Sequence, residues 1–180
     1  MIGFLRFIGL INAAVWLGGT VFFALFASPA FFSPDMQALL DAKNFPYYSG
    51  AIAQIMAAQY FYFGTICAVI GFLHLLAEWL YLGRPGRMLS VSLLASLLVL
   101  SLIGQHWFQP KLKALHKTHY AVNAQPAERE AAAKSFNGWR LASQFLNLCL
   151  MGGLLIYIWR IANPSDTLRF VSSVKFRGDR

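Results

Sequence analysis

Four long apolar stretches account for most of this chain and constrain its fold more than any other feature. A helix needs roughly 20 predominantly apolar residues to cross the hydrocarbon core of a bilayer, and each stretch is long enough. The sequence therefore predicts an all-α membrane protein, an antiparallel four-transmembrane-helix bundle with helix ends that extend into solvent. The predicted spans are residues 7–32, 47–82, 88–109 and 139–161.

The composition favours a single membrane domain. Hydrophobic residues make up 58% of the 180 residues and charged residues 12%, whereas about a quarter of the residues in a soluble protein are charged. The segments between the spans are too short to enclose a core of their own. We therefore expect a four-helix transmembrane domain over residues 1–162 and a basic C-terminal tail over residues 163–180.

Two spans are expected to extend beyond the bilayer. The second span is 36 residues long and would measure about 54 Å as a helix, whereas the hydrocarbon core is about 30 Å thick. The Ala, Glu and Lys residues at 127–134 have high helix propensity and should lengthen the fourth span into solvent. Gly83–Arg87 predicts a tight hairpin turn, and a kink is expected at Pro110.

The net charge of +8 points to an acidic partner. Because the Lys and Arg residues lie almost entirely outside the spans, the expected partner is the bilayer with its acidic headgroups, and no nucleic acid. Other membrane-protein subunits, or self-association, are further expected partners.

The distribution of basic residues gives the expected orientation in the bilayer. Eight basic residues fall on one side of the bilayer and seven on the other, so the count alone is nearly a tie. The basic turn and tail favour cytoplasmic termini, and the expected location is the inner membrane of a bacterium.

Polar residues inside the spans are the candidates for function, because ionisable groups in a bilayer are costly. A rise of 1.5 Å per residue from the Gly83–Arg87 turn sorts them into two layers. The layer near the predicted cytoplasmic face contains Asn12, His74 and Glu78. His74 and Glu78 are four residues apart and share a helix face. This pair has two interpretations, a proton-handling or metal-binding site and a hydrogen-bonded patch that fixes helix packing.

The second layer lies towards the opposite face and is the first candidate site. Arg140, Ser143 and Asn147 share one face of the fourth span at spacings of three and four. A guanidinium at the mouth of a bundle can bind a carboxylate or an anionic headgroup, but an interfacial Arg that organises helix ends has the same pattern. The complete layer consists of Gln59, Gln105, His106, Arg140, Ser143 and Asn147.

The sequence predicts no cofactor, no metal ligands and no catalytic residues. His74 and His106 differ by about 15 Å in estimated depth, which is too far for both to bind one haem iron. His116 and His119 lie in a basic, polar stretch and are expected to face water. The sequence contains no Ser–His–Asp grouping, HExxH motif or clustered Cys ligands, so nothing in it supports an enzyme.

Three segments carry a family resemblance. The first span contains NAAVWLGGTVFF at Asn12–Phe23 and then ASPAFF at Ala27–Phe32. The second span begins with NFPYY at Asn44–Tyr48, and the last begins with WRLASQFLNL at Trp139–Leu148. Together these segments resemble the DUF4149 family, which is similar to the eukaryotic transmembrane protein 205 group. The resemblance implies a small four-helix membrane protein without an established activity. The family pattern has a His where this chain has Arg140.

Three functions remain open from the sequence. The first is a non-enzymatic scaffold or accessory subunit of a membrane complex, because 16 Phe and 5 Trp residues offer large side chains to lipid and partner helices. The second is a carrier of a small solute or ion with a polar site near Arg140. The third is a haem- or metal-handling protein that uses His74 and Glu78.

Overall fold

The computed structural model describes residues 2–82 and 88–163, and within these ranges the chain is helical, with short connections and no strand. The predicted all-α membrane bundle is confirmed. The predicted Gly83–Arg87 turn and the tail beyond Asn163 lie outside the described residues. The helices are α1 (Ile2–Phe22), α2 (Ser28–Ala30), α3 (Pro34–Leu40), α4 (Phe45–Leu82), α5 (Met88–Ile103), α6 (Gln109–His119) and α7 (Pro126–Ala162).

Four helical segments in the described part of the chain are long and apolar enough to cross a membrane. Helix α7 has 37 residues, which corresponds to about 56 Å of helix and exceeds a hydrocarbon core of about 30 Å. The same holds for α4, with 38 residues. Both helices are therefore longer than an untilted crossing requires. The four segments are Phe7–Ala30, Phe45–Tyr81, Met88–His119 and Pro126–Ala162.

Two π-helical turns, Phe23–Ala27 and Gly104–Phe108, keep the first and third spans continuous. Each is followed by one residue and then a proline, at Pro29 and Pro110. A proline in a helix lacks an N–H donor, and its ring clashes with the carbonyl four residues earlier. The wider turn relieves that crowding. The chain thus reaches Pro110 through a π-turn. Such turns occur frequently at functional sites.

The core lies where α1, α4, α5 and α7 meet. Trp16, Phe61, Leu94 and Tyr157 are almost completely buried there. Glycine permits the close approach of neighbouring helices, as small residues commonly do in membrane bundles. A Cβ added to Gly19 would lie 2.7 Å from the ring of Phe63, so a larger residue at this position would force the ring to shift.

Side-chain hydrogen bonds fasten the segment between α6 and α7. The Tyr120 hydroxyl donates to Pro46 O at the start of α4 over 3.0 Å. Arg129 Nη2 donates to Val122 O over 2.7 Å. Helix α7 then begins with a capping box between Gln125 and Glu128, with a proline in its first turn. These bonds hold the start of α7 beside the start of α4.

Candidate functional site

A cavity lies at the end of the bundle where α4 and α7 begin. It encloses about 590 Å³ of space between atoms, a volume that includes its open mouth. Its walls come from the end of the first span and from α4, α6 and α7. They consist of Phe23, Ser28, Phe31, Phe32, Gly50, Ala53, Gln54, Ala57, Gln109, Leu112, Phe136, Arg140, Ser143, Gln144 and Asn147.

Helical periodicity places these side chains on common faces. On α4, Gly50, Ala53, Gln54 and Ala57 recur at the i, i+3, i+4 and i+7 positions of one helix face. The cavity-lining residues of α7 recur with the same period over positions 136–147. Three of the four α4 residues are Gly or Ala, so α4 presents little side-chain volume here. The cavity follows directly from this run of small residues.

Polarity changes from the mouth of the cavity to its interior. Arg140 and Gln144 are exposed, whereas Gln109 and Asn147 are each only 8% exposed. The Arg140 Cζ lies 5.7 Å from the centroid of the Phe32 ring, a distance at which a guanidinium is attracted to an aromatic face. The site therefore has a cation at its mouth and neutral amides in its interior.

Two amide atoms of the cavity lining are buried without a hydrogen-bond partner among the described residues. They are Oδ1 of Asn147, on α7, and Nε2 of Gln54, on α4. Burial of a polar group without a partner costs several kcal/mol in an apolar medium, roughly 1–3 kcal/mol by protein mutational data. Such exceptions are uncommon in native structures and call for an explanation. A bound polar group would supply one.

The charge of the lining is one-sided. Arg140 is the cation among the described lining residues, and these residues include no carboxylate. Charges interact more strongly in a low-dielectric, partly dry site than in water. The arrangement therefore favours an anion over a cation, and Arg140 can hold a carboxylate or phosphate through two parallel hydrogen bonds.

An aromatic cluster packs behind the cavity wall at Gly50. His116, which was expected to face water, is only 6% exposed. Its ring stacks on Tyr47 with centroids 5.3 Å apart. A Cβ on Gly50 would lie 2.6 Å from His116 Nε2. Burial raises the pKa of the neighbouring Tyr120 hydroxyl, so this hydrogen-bond donor keeps its proton at any physiological pH.

His119, the other residue expected to face water, is half-buried, and its Nδ1 lies 3.0 Å from Arg129 O. The expectation was wrong for His116, because Gln109, Leu112 and His116 form one buried face of α6 at spacings of three and four. The lysines beside them are exposed on the remaining surface of the same helix.

The structure divides the predicted Arg140 layer into two groups. Arg140, Ser143 and Asn147 line the cavity together. Gln59 is exposed on α4 outside the lining. Gln105 lies in the second π-turn, and its Oε1 accepts a hydrogen bond from the Thr65 hydroxyl over 3.4 Å. His106 is exposed, and it lies on a shallow surface formed with Val99, Leu102, Ile103 and Trp107.

The physical reason for this division is rotation about the helix axis. Depth along the axis places Gln59 near Arg140, but Gln59 follows Gln54 by five residues, which is a rotation of about 500°, or 140° beyond one full turn. Gln54 faces the cavity and Gln59 therefore points away from it. A count of depth alone does not distinguish these two positions.

The Asn12, His74 and Glu78 layer lies between α1, α4 and α7. Asn12 Nδ2 donates to Cys67 O across 2.9 Å and thereby joins α1 to α4. The His74 ring packs against Gly9, where a Cβ would lie 2.5 Å from the imidazole. Glu78 is half-buried on α4 and lies near the buried Tyr157 of α7. Within the described ranges, no three His, Cys, Asp or Glu side chains are grouped to hold a metal ion.

Four polar residues of the cavity were not among the predicted site residues. Gln144 follows Arg140 by four residues on the same face of α7, and that spacing was a usable signal. Gln54 lies on a different helix, so the same spacing does not indicate that it faces the cavity. Ser28 and Gln109 each precede a proline and follow a π-turn. Their rotation into the cavity depends on that turn, and the proline that follows does not by itself specify a π-turn.

Comparison with known proteins adds one result. A family model described as "Domain of unknown function (DUF4149)" matches residues 11–121. This range covers most of the first span and all of the second and third, and it ends before α7, so it includes the α4 and α6 walls of the cavity but not Arg140. Neither a curated protein nor a solved structure matches the chain.

Proposed function

The chain belongs to the DUF4149 family, and we propose that it is a non-enzymatic multi-pass membrane protein that binds an anionic amphiphile in the cavity between α4, α6 and α7. The observation that carries this proposal is the charge of the cavity. Arg140 stands at its mouth, and the described lining includes no carboxylate to neutralise it. The ligand supplies the missing negative charge.

The apolar part of the lining supports an amphiphile rather than a small inorganic anion. Phe23, Phe31, Leu112 and Phe136 contribute large apolar side chains to the same walls that carry the amides. A purely ionic ligand would leave these surfaces without contacts. An alkyl or acyl chain fills them at roughly 25 cal/mol for each Å² of apolar surface buried, while its charged head contacts Arg140.

The outer surface of the protein gives less support to an accessory subunit. Large apolar side chains are exposed along all four spans, among them Phe26, Ile55, Val99 and Leu155. Lipid alone requires such a surface, because acyl chains solvate apolar side chains. The cavity, in contrast, carries polar groups that lipid tails cannot satisfy. Ligand binding is therefore the function that the geometry supports better.

The proposal includes a location and an orientation. We place the protein in the inner membrane of a bacterium with cytoplasmic termini, which puts the mouth of the cavity on the opposite face. Val122 and Met88 are each 89% exposed and lie at opposite ends of the bundle. In a background without Cys67 and Cys149, an impermeant maleimide added to intact cells should label Val122→Cys and not Met88→Cys. The reverse pattern would reject this orientation.

Binding is tested on purified protein in a neutral detergent. Phosphatidylglycerol should raise the thermal midpoint and bind in native mass spectrometry, whereas phosphatidylcholine with the same acyl chains should bind much more weakly. Arg140→Gln should reduce phosphatidylglycerol affinity about tenfold or more, since hydrogen bonds to charged groups contribute roughly 1.5–3 kcal/mol. Ala57→Phe should reduce it by filling the cavity.

The matched control is Arg160→Gln, which removes the same charge from the far end of α7. Its affinity for phosphatidylglycerol should stay close to that of the unmodified protein. If Arg140→Gln and Ala57→Phe both fold and bind the lipid with unchanged affinity, the cavity is not the binding site and the proposal fails.

A further inference from the structure

We infer that the ligand carries a hydroxyl group close to its negative charge, as a glycerol phosphate head does, and that Asn147 and Gln54 recognise this hydroxyl. The inference rests on the proposed function and specifies the ligand class for the same cavity. It starts from the two amide atoms that have no hydrogen-bond partner among the described residues, a feature that a charge on Arg140 does not explain.

The two atoms belong to helices on different sides of the cavity. Asn147, on α7, is 92% buried, since 8% of its surface is exposed, and its Oδ1 lacks a donor within the described chain. Gln54, on α4, has a buried Nε2 that lacks an acceptor there. Both side chains line the cavity. An occupant of the cavity is therefore the natural partner for both atoms.

A hydroxyl group is the simplest partner that satisfies both. Its hydrogen can be donated to Asn147 Oδ1, and its oxygen can accept from Gln54 Nε2. The oxygen and nitrogen of a side-chain amide can exchange places by rotation. A hydroxyl remains suitable after such an exchange because it both donates and accepts. A bare carboxylate or an unsubstituted phosphate diester cannot donate, so it leaves Oδ1 unsatisfied.

Helix geometry limits the distance between the charge and the hydroxyl. Arg140 and Asn147 are seven residues apart on one face of α7, which is about 10 Å along the helix axis. The Arg140 side chain is long and lies at the cavity mouth, so it spans part of that distance. The hydroxyl then falls within a few bonds of the anion. A glycerol head attached to a phosphate has this arrangement, either in a lipid or as a free solute.

The experiment compares an anionic lipid whose headgroup carries hydroxyls with one whose headgroup carries none. Phosphatidylglycerol and phosphatidylethanol with identical acyl chains each carry one negative phosphodiester charge. Native mass spectrometry of the full-length protein in neutral detergent should show that phosphatidylglycerol binds about tenfold more tightly, because an unpaired buried polar group is costly. Asn147→Leu should remove this preference. Arg140→Gln should lower the affinity for both lipids by the same factor and leave the preference for phosphatidylglycerol intact.

A second variant and a soluble probe complete the test. Gln54→Leu removes the partner amide from the opposite wall, and it should also abolish the preference, so the test does not depend on the folding of Asn147→Leu. Displacement of phosphatidylglycerol by sn-glycerol 3-phosphate, but not by ethyl phosphate, would show that the ligand is a free solute. No displacement by either, with the lipid preference retained, would show that it is a lipid head.

The two proposals fail in different ways. Equal affinity of the unmodified protein for phosphatidylglycerol and phosphatidylethanol overturns the hydroxyl inference, while the cavity remains a site for anionic amphiphiles. A preference that survives in both Asn147→Leu and Gln54→Leu also overturns it. If neither lipid binds, or if Ala57→Phe leaves both affinities unchanged, the proposed function itself is wrong.

Discussion

Arg140 and Phe32 join the last span of the bundle to the segment that follows the first, with Cζ of the guanidinium 5.7 Å from the centroid of the ring. Both residues are exposed at the mouth of the cavity. The ring restricts the positions available to the guanidinium on the side of α2. Arg140 is thus oriented before a ligand arrives, which reduces the entropy that binding must remove.

A double-mutant cycle should detect this contact in the free protein. Phe32→Leu and Arg140→Gln, measured singly and together, should show a coupling energy of about 0.5–1 kcal/mol, the value typical of exposed cation–π pairs. The measurement is the free energy of unfolding in detergent. Phe7→Leu combined with Arg140→Gln serves as the control, because Phe7 is exposed at the other end of α1. Zero coupling for Phe32 would mean that the two residues do not interact in solution.

Adjacent glycines in α1 should respond differently to the same substitution. Gly19→Ala should destabilise the bundle by about 1–3 kcal/mol, the usual cost of overpacking a core, because its Cβ would lie 2.7 Å from the Phe63 ring. Gly18→Ala should be neutral or slightly stabilising, since no atom lies within 4 Å of its added Cβ and Ala favours helices more than Gly. The thermal unfolding midpoints of the two variants measure this difference, and equal midpoints would contradict the packing described for α1 and α4.

Gly50→Ala should disturb the aromatic cluster. The added Cβ would lie 2.6 Å from His116 Nε2, so the imidazole must shift from its stacked position on Tyr47. We expect a loss of about 1–3 kcal/mol in the free energy of unfolding. His116→Ala in the same chain should recover part of that loss by removing the clash. Gly138→Ala is the control, because no atom lies within 4 Å of its added Cβ. Additive effects of Gly50→Ala and His116→Ala in the double variant would contradict a direct contact between these two positions.

The Asn12 amide should contribute to the association of α1 with α4. Asn12→Ala removes the 2.9 Å hydrogen bond to Cys67 O and should cost about 0.6 kcal/mol and at most about 1.7 kcal/mol, the mean and the maximum measured for side-chain hydrogen bonds between membrane helices. Ser96→Ala is a suitable control because the Ser96 hydroxyl bonds to Leu93 O within its own helix. If both substitutions have the same small effect on unfolding, Asn12 does not join the two helices.

The bundle was predictable from the sequence because its cause is local to each span. Long apolar runs and the requirement for internal hydrogen bonds in lipid leave helices as the available structure. The grouping of Arg140, Ser143 and Asn147 was also predictable, since spacings of three and four place side chains on one face of any regular helix.

The opposite wall of the cavity was not predictable by the same reasoning. The direction that Gln54 faces depends on how α4 is rotated against its neighbours, and that rotation is set by tertiary contacts such as Gly19 against Phe63. His116 illustrates the same limit, because its lysine neighbours suggested solvent while the buried face of α6 was determined by α4 and α7. Side-chain polarity specifies which residues tolerate water, but not which helix they meet.

The two π-turns determine which residues surround Arg140 by changing the residue count of the first and third spans. In each, an N–H bonds to the carbonyl five residues earlier, Ser28 to Phe23 and Gln109 to Gly104, so each turn contains one residue more than an α-helical turn. Deletion of that residue would rotate everything beyond it by about 100°. The Phe32 ring would then lose its contact with the Arg140 guanidinium, although every side chain of the cavity would still be present in the chain. The composition of this binding site is therefore controlled by the length of its helices as much as by the chemistry of its residues.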